Sequence, residues 1–482
     1  MTAKRVFESP VYDLHEKSYF TKMAHRIEQE DIIDSSLYQK YNVKRGLRNA
    51  NGTGVLVGLT KIGDVHGYDK GPNGEKIPVR GELRYRGYEI QDLVGHYYQE
   101  QRFGFEEVTY LLMFGELPTA EQLSEFKRMI GERRELPEGF SRNMIMSRPS
   151  SSIMNKVMRS ILGLYSYDDN PDDISPENVI RQEMNILGYF PAIIAYCYQA
   201  KQLFYNNESM YLHPPIAELG TAENILRMLR PTGEFDPFEA RVLDLTLILQ
   251  AEHGGGNNSA FTTHLLSSSA TDTYSVLAAA VGSLKGPRHG GANIKVIEMI
   301  EDLRNNVHDI TNKQEVDRYL MKVLNGEAND GSGLIYGIGH AVYTLSDPRA
   351  VILKNMAKQL AIMNGKEDDY QLCEYIAERG PELFRQKTGL DQPMCANVDL
   401  YSGLVYESLN IPQDMCTPLF ATARLSGWCA HRLEEIITGK KLIRPSYRGV
   451  QAARDYVPLA ERTGEPPKRE IAQSNINKPV MK

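Results

Sequence analysis

After Asp236-Pro237-Phe238-Glu239, which supplies a cap and a first-turn proline, the apolar positions Val242, Leu245, Ile248 and Leu249 fall on one face of a long helix that delivers His253 at its end. The same punctuation recurs along most of the chain beyond Tyr88. Thr119-Ala120-Glu121-Gln122 is a capping box before an EQLSEFKRMI helix, Ser175-Pro176-Glu177 opens another, and Thr221-Ala222-Glu223-Asn224 introduces a shorter one. IKVIEMIEDL after Asn293 is amphipathic, while Asp347-Pro348 and Thr417-Pro418 mark two further starts. Only Gly54 to Tyr88 departs from this period. There VLVG, KIGDVHG and GELRYRGY read as short β runs, and GPNGEK, Gly71 to Lys76, reads as a plain turn without phosphate-loop spacing. The pattern predicts a mainly α protein with minor β near the N-terminus.

Two His-Gly turns interrupt the helices, His253 before Gly254-Gly255-Gly256 and His289 before Gly290-Gly291, followed by Asn257 and Asn293. A helix rich in Ala and Ser, especially from Ser267 to Ala280, is expected between them, buried in a bundle or at a subunit contact because small side chains allow close approach. Such turns have two readings. They either end helices, with the histidines bonded to the last carbonyls, or let the backbone approach a ligand in a shared cavity. His289 lies just before a helix N-terminus, whose dipole disfavours a charged imidazole, so a neutral ring there can donate to an oxygen gaining negative charge.

Five more positions have the chemistry of a site. Gly337 and Gly339 precede His340, but Val342 stands where a dinucleotide motif needs its third glycine. Arg349 falls in the first turn after Asp347-Pro348, either as a surface side chain or, with the free N–H groups, as a grip on a carboxylate or phosphate. Asp399 heads an apolar helix, as an N-cap or as a functional carboxylate. Arg424 sits amid Phe420, Ala421, Thr422 and Ala423, and must be salt-bridged or clamp a ligand. Arg444 precedes Pro445 in a basic loop.

Composition narrows the setting. With 482 residues, 41% of them hydrophobic, there is material for a large core and more than one domain. A net charge of −7 gives no overall attraction to nucleic acid or anionic membrane. The five cysteines, Cys197, Cys373, Cys395, Cys416 and Cys429, lack CxxC spacing and read as reduced thiols. No apolar run is long enough for a signal peptide or membrane span, and acids near the N-terminus count against a transit peptide. A cytoplasmic protein is expected, binding neither nucleic acid nor membrane.

From Gly54 to Gly449 the chain resembles the citrate synthases. The resemblance is carried by GELRYRGYEI, FEEVTYLLMFGELPT, HGGGNNSA, LKGPRHGGAN, GIGHAVYTLSDPRA, NVDLYSGLVYESLNIP and TPLFATARLSGWCAHRLE with IRP, in the family's order. It implies a mainly helical homodimer with a large domain of residues 54–290 and 400–463. A small mobile domain of 291–399, an N-terminal arm of 1–53 and a flexible tail of 464–482 complete the expected layout.

The implied reaction is a Claisen-type condensation of acetyl-CoA with oxaloacetate, then thioester hydrolysis to citrate and CoA. By resemblance Asp399 is the base, His289 stabilises the enol or enolate, and His340 polarises the oxaloacetate carbonyl. His253, Asn257, Arg349, Phe420 and Arg424 line or bind the oxaloacetate and citrate site, and Arg444 is lent by the neighbouring subunit. No metal or other cofactor is implied, CoA thioester being a substrate, and no HxH or HExxH spacing suggests a hydrolytic metal. Two departures weaken the CoA contacts: Gln250 stands where many relatives have histidine, and Thr344 where many have a basic residue, leaving Lys285 or Arg288 as substitutes. The alternatives are a 2-methylcitrate synthase using propionyl-CoA and, more distantly, a non-catalytic helical binding module.

Overall fold

A computed structural model of the chain describes residues 14–462 other than 73 and 391. The expected tail, 464–482, and the beginning of the expected arm lie outside the described residues. The chain forms two compact units, one reaching to Lys440 and another from Lys441 on.

The first unit is mainly α. Leu14–Glu30 (α1) and Ser35–Lys40 (α2) bury none of their described side chains. A three-stranded antiparallel sheet follows, Gly63–Lys70 (β1), Lys76–Tyr85 (β2) and Tyr88–Glu89 (β3), in the order β1-β2-β3. Arg86 and Gly87, with φ of 51° and 92°, join β2 to β3 by a two-residue loop whose twist suits a hairpin. The expectation of a strand at VLVG fails. Apart from a lone bridge between Arg48 and Gly54 the segment has no ladder partner among the described residues, and Leu56 is 83% exposed. β propensity without a surface to pack on does not make a strand.

Ile90–Gln99 (α3), Phe105–Phe114 (α4), Ala120–Gly131 (α5) and Ile153–Leu164 (α6) lead to Pro176–Lys201 (α7), Thr221–Leu229 (α8) and Pro237–Gln250 (α9). Their starts follow the sequence signals. Thr119 and Gln122 close a reciprocal capping box, Ser175 accepts from the Asn178 N–H, and Asp236 accepts from the Phe238 N–H.

The single helix expected between the His-Gly turns is two, Asn258–Ser267 (α10) and Thr273–Lys285 (α11). Ala270 adopts a left-handed φ of 61°, and Asp272 caps α11 by accepting the Ser275 N–H. Side chains that bond local backbone N–H groups favour such a break. Ala292–Asn306 (α12), Lys313–Leu324 (α13), Pro348–Met363 (α14), Glu367–Thr388 (α15), Val398–Ser408 (α16) and Cys416–Thr438 (α17) complete the unit.

α17 is its central pillar. From Cys416 to Leu433 every side chain but Phe420 is buried, and the helix packs against α4, α7, α9, α10 and α11. Gly427 permits the close approach to the end of α9. A Cβ there would stand 2.5 Å from the Ala251 carbonyl oxygen, so only glycine lets α17 pass the end of α9 and set Arg424 beside Gln250.

Candidate active site

Four chain segments meet here: the turn after α9, the turn before α12, the loop leading into α14, and the start of α16, with α17 beneath. His253 leaves α9 two residues after its C-cap, Ala251, and does not serve as a cap. Its Nε2 is buried without a hydrogen-bond partner, and its ring stands edge-on to His340, with centroids 5.2 Å apart, and to Tyr343 at 5.6 Å. Burial, then the nearby Arg349, His340 and Arg424, hold its pKa well below the ordinary value, so the ring is neutral. Asn257 caps α10 by accepting the Ala260 N–H at 3.0 Å and also accepts from the Ser259 hydroxyl.

Hydrogen bonds fix the tautomers of the other two histidines. His340 Nδ1 accepts the backbone N–H of Val342 at 3.1 Å and of Tyr343 at 3.0 Å, so its proton resides on Nε2. The ring is stacked on Tyr343 at 4.8 Å. His289 Nε2 accepts the Ser259 N–H at 3.3 Å and lies 2.9 Å from the Ser259 Oγ, so its proton resides on Nδ1. Trp428 donates its indole N–H to that same Oγ at 3.1 Å. Burial lowers both pKa values to about 4, with Arg424 adding to the effect at His289 and Arg349 at His340. Both rings are therefore neutral N–H donors at pH 7.

The charged groups are arranged around them. Arg349, in the first turn of α14, is buried rather than a surface side chain. Asp347 holds it through Nε–Oδ1 at 3.0 Å and Nη2–Oδ2 at 2.8 Å. Arg424 is buried, donates Nε–H to the Gln250 carbonyl at 2.8 Å and faces the Phe420 ring at 4.9 Å. Burial lowers its pKa to about 10, with Glu252 and Tyr85 opposing. Among the described residues it makes no ion pair within 4 Å, which leaves its other nitrogens for a ligand.

Asp399 is not the N-cap of α16. Asn397 takes that place, accepting the Asp399 N–H at 3.0 Å and tying the loop before α14 in place through its amide to the Gly339 carbonyl at 2.9 Å. The Asp399 carboxyl is thereby left free of capping. Burial raises its pKa to about 6, against the pull of Arg349 and with the help of Asp347. A carboxylate with a pKa near neutrality has the chemistry that general-base work requires.

Electrostatic coupling places the groups together: His253 with Arg349, His340 and Arg424, His289 with Arg424, and Asp399 with Arg349. Arg444 is an exposed residue of the second unit. Sequence reasoning missed Asp347 as a partner, Ser259 and Trp428 as supports of His289, Tyr343 under His340, and Asn397 as the cap. For Asp347 the signal was present, since a capping aspartate two residues from an arginine is in reach of its guanidinium. For the others the partners come from distant segments.

The Citrate synthase, C-terminal domain family matches residues 49–446. The chain belongs to the citrate synthase family. It is 34% identical over 414 residues to the citrate synthase of Synechocystis, covering 85% of this chain and 92% of that protein. To the 2-methylcitrate synthase of Shewanella oneidensis it is 31% identical over 385 residues, covering 79% and 93%. Among solved structures it is similar to the ternary complex of carboxymethyl coenzyme A and oxaloacetate with citrate synthase from Thermoplasma acidophilum. There the TM-score is 0.70 at 25% identity, covering 87% of this chain and 99% of that one. A citrate synthase fold accounts for the predominance of helix, and the family is one of acyltransferases that turn an acyl group into an alkyl group on transfer. No described helix is long and apolar enough to cross a membrane.

Proposed function

We propose that the protein condenses acetyl-CoA with oxaloacetate and hydrolyses the resulting thioester to citrate and CoA. The observation that carries this reading is the presence, around Arg349 and Arg424, of a buried carboxylate of pKa about 6, Asp399, and of neutral imidazoles whose tautomers are fixed, His289 and His340. A thioester methyl is too weakly acidic for a carboxylate alone, so a preorganised donor must meet the charge arriving on the carbonyl oxygen.

In this reading Asp399 takes a methyl proton while His289 Nδ1–H donates to the thioester oxygen. The carbon so released attacks the keto carbon of oxaloacetate, whose oxygen accepts a hydrogen bond from His340 Nε2–H and becomes the citrate hydroxyl. Water then displaces CoA from the thioester. Arg349, Arg424 and His253 hold the oxaloacetate carboxylates, beside Asn257 and Phe420, and turn an encounter into an oriented attack. Arg444 of a second copy in a homodimer supplies a further arginine. Residues 291–399 act as a small domain that closes over 54–290 and 400–463 and excludes water, a gating role. Lys285, at the end of α11, and Arg288, just beyond it, are both exposed and suit CoA phosphates better than Thr344, whose hydroxyl is buried. Neither a metal nor another cofactor enters any step.

The similarity to 2-methylcitrate synthases supports the same chemistry on propionyl-CoA as the second reading, since one methyl group changes pocket selectivity by only about 10- to 200-fold. Thiol release from each thioester, with and without oxaloacetate, tests both. Oxaloacetate-dependent release that Asp399→Asn cuts by about a thousandfold or more is expected. Unchanged release in the variant rules Asp399 out as base.

A further inference from the structure

Beyond Arg424, α17 carries His431, Glu434 and Glu435 toward α10, where they meet His264 in a cluster that the condensation does not use. His264 Nε2 and His431 Nδ1 lie 3.0 Å apart. A carboxylate stands at the far side of each ring: Glu435 Oε2 is 2.8 Å from His264 Nδ1, and Glu252 Oε2 is 3.0 Å from His431 Nε2. An ionised carboxylate only accepts, so His264 Nδ1, hydrogen-bonded to Glu435, bears the N–H, while His431 Nε2 is close to Glu252 without forming a hydrogen bond. His264 therefore turns a lone pair on Nε2 toward His431 Nδ1, and when His431 keeps its proton on the Glu252 side the two inner nitrogens meet lone pair to lone pair, which repels unless a cation lies between them.

A proton can fill that role for two nitrogens, but a third donor converges on the same point. One ring nitrogen each of His264 and His431 and one carboxylate oxygen of Glu434 lie within 4.8 Å of one another. Its Oε1 accepts the Lys61 N–H at 2.8 Å, and its Oε2 is buried with no hydrogen-bond partner. A proton shared by the two rings answers nothing on Glu434, whereas a metal ion can take one donor atom from each of the three residues.

We propose that His264, His431 and Glu434 bind a divalent late first-row cation, with zinc the best fit to an N, N, O donor set, at an accessory site separate from the reaction. Glu435 orients the His264 ring from behind by a hydrogen bond, and the Glu252 carboxylate lies behind His431, the kind of support that raises the basicity of metal-bound histidines. Tetrahedral bonds of about 2.0–2.1 Å need the nitrogens roughly 3.3 Å apart, a few tenths of an ångström beyond their present separation. Gly255 flanks the pair, and a Cβ there would come within 3.4 Å of both His264 Nε2 and His431 Cε1, so glycine keeps that side clear for water as fourth ligand. The side chains of His264 and Glu435 are 14% and 13% exposed, which gives an ion a way in.

The test uses the full chain, stripped with a chelator and titrated with Zn²⁺ by calorimetry and with Co²⁺ by visible absorption. The expected result is one ion per chain at micromolar affinity or tighter, with the intense visible bands of four-coordinate cobalt. His264→Gln and Glu434→Gln should each weaken binding by at least about 100-fold, and Glu435→Gln by about 10- to 100-fold. If the histidine variant fails to fold, Glu434→Gln decides, because its amide oxygen still accepts the Lys61 N–H. No binding by the wild type, or zinc affinity that both ligand variants leave unchanged, overturns the site. Loss of oxaloacetate-dependent thiol release on stripping overturns its accessory character.

Discussion

Asp347 grips Arg349 with both carboxylate oxygens, at 3.0 and 2.8 Å, and its Oδ2 also accepts the Val398 N–H at 3.3 Å. One carboxylate thus fastens the start of α14 to the start of α16, the two segments that bring Arg349 and Asp399 to the site. Asp347→Asn removes its charge and leaves a buried guanidinium unpaired. A loss of about 3–5 kcal/mol is expected from denaturant unfolding at neutral pH. A loss below about 1 kcal/mol would show that Arg349 finds another partner.

Activity should follow the ionisation of Asp399. With a pKa of about 6, its basic form is depleted below that pH, so kcat/KM falls about tenfold per unit on the acid side and is flat above. His289 and His340, at about 4, stay neutral throughout and add no break between about pH 5 and 8. A pH–rate profile with a break near 4 instead would show that burial does not raise the Asp399 pKa.

Stability carries the same groups with opposite signs. The raised Asp399 pKa lets the folded state keep a proton that the unfolded chain has lost, so ionisation costs stability as pH rises from about 4 to about 6. Asp399→Asn should therefore stabilise the protein at pH 7, by about 1–3 kcal/mol, while it abolishes activity. The lowered pKa values of His289 and His340 act in reverse, contributing stability at neutral pH that is lost as pH falls from 6.5 to about 4. Unfolding midpoints of wild type and variant across that range measure both.

At Gly427 even one methyl group is too large, for it would stand 2.5 Å from the Ala251 carbonyl and 2.6 Å from Glu252 Oε2. Backbone cannot swing aside as a side chain can. Gly427→Ala should cost about 2 kcal/mol or more in stability and, by displacing the end of α9, raise the oxaloacetate KM through His253. A variant as stable as wild type would mean that α17 shifts without disturbing α9.

Arg424→Lys tests the clamp. The ammonium keeps the charge but loses the planar fork that faces Phe420 and bonds the Gln250 carbonyl. The oxaloacetate KM should rise by about 10- to 100-fold with little change in that for acetyl-CoA. An equal rise in both would assign Arg424 to folding rather than to the keto acid.

What could be read from the chain alone was local. Thr119, Ser175 and Asp236 announce their helices because a cap and the N–H groups it satisfies lie within three residues, and Arg349 falls in its first turn for the same reason. The break at Ala270 was hidden, since small residues suit a helix interior and a turn alike. Asp399 looked like a cap until Asn397, two residues earlier, took that place. The link from Ser259 to His289 spans thirty positions, and no periodicity encodes which turn will face which. VLVG had the composition of a strand and lacked only a neighbour to pair with, something composition does not record.

Trp428 is the chain's only tryptophan, and its indole is bonded to the serine that holds His289. Ultraviolet excitation therefore draws emission from a single lamp hung beside the imidazole that is to meet the thioester. Ligand arrival and departure at that ring can be timed in a stopped-flow cuvette, with no dye attached and no residue replaced.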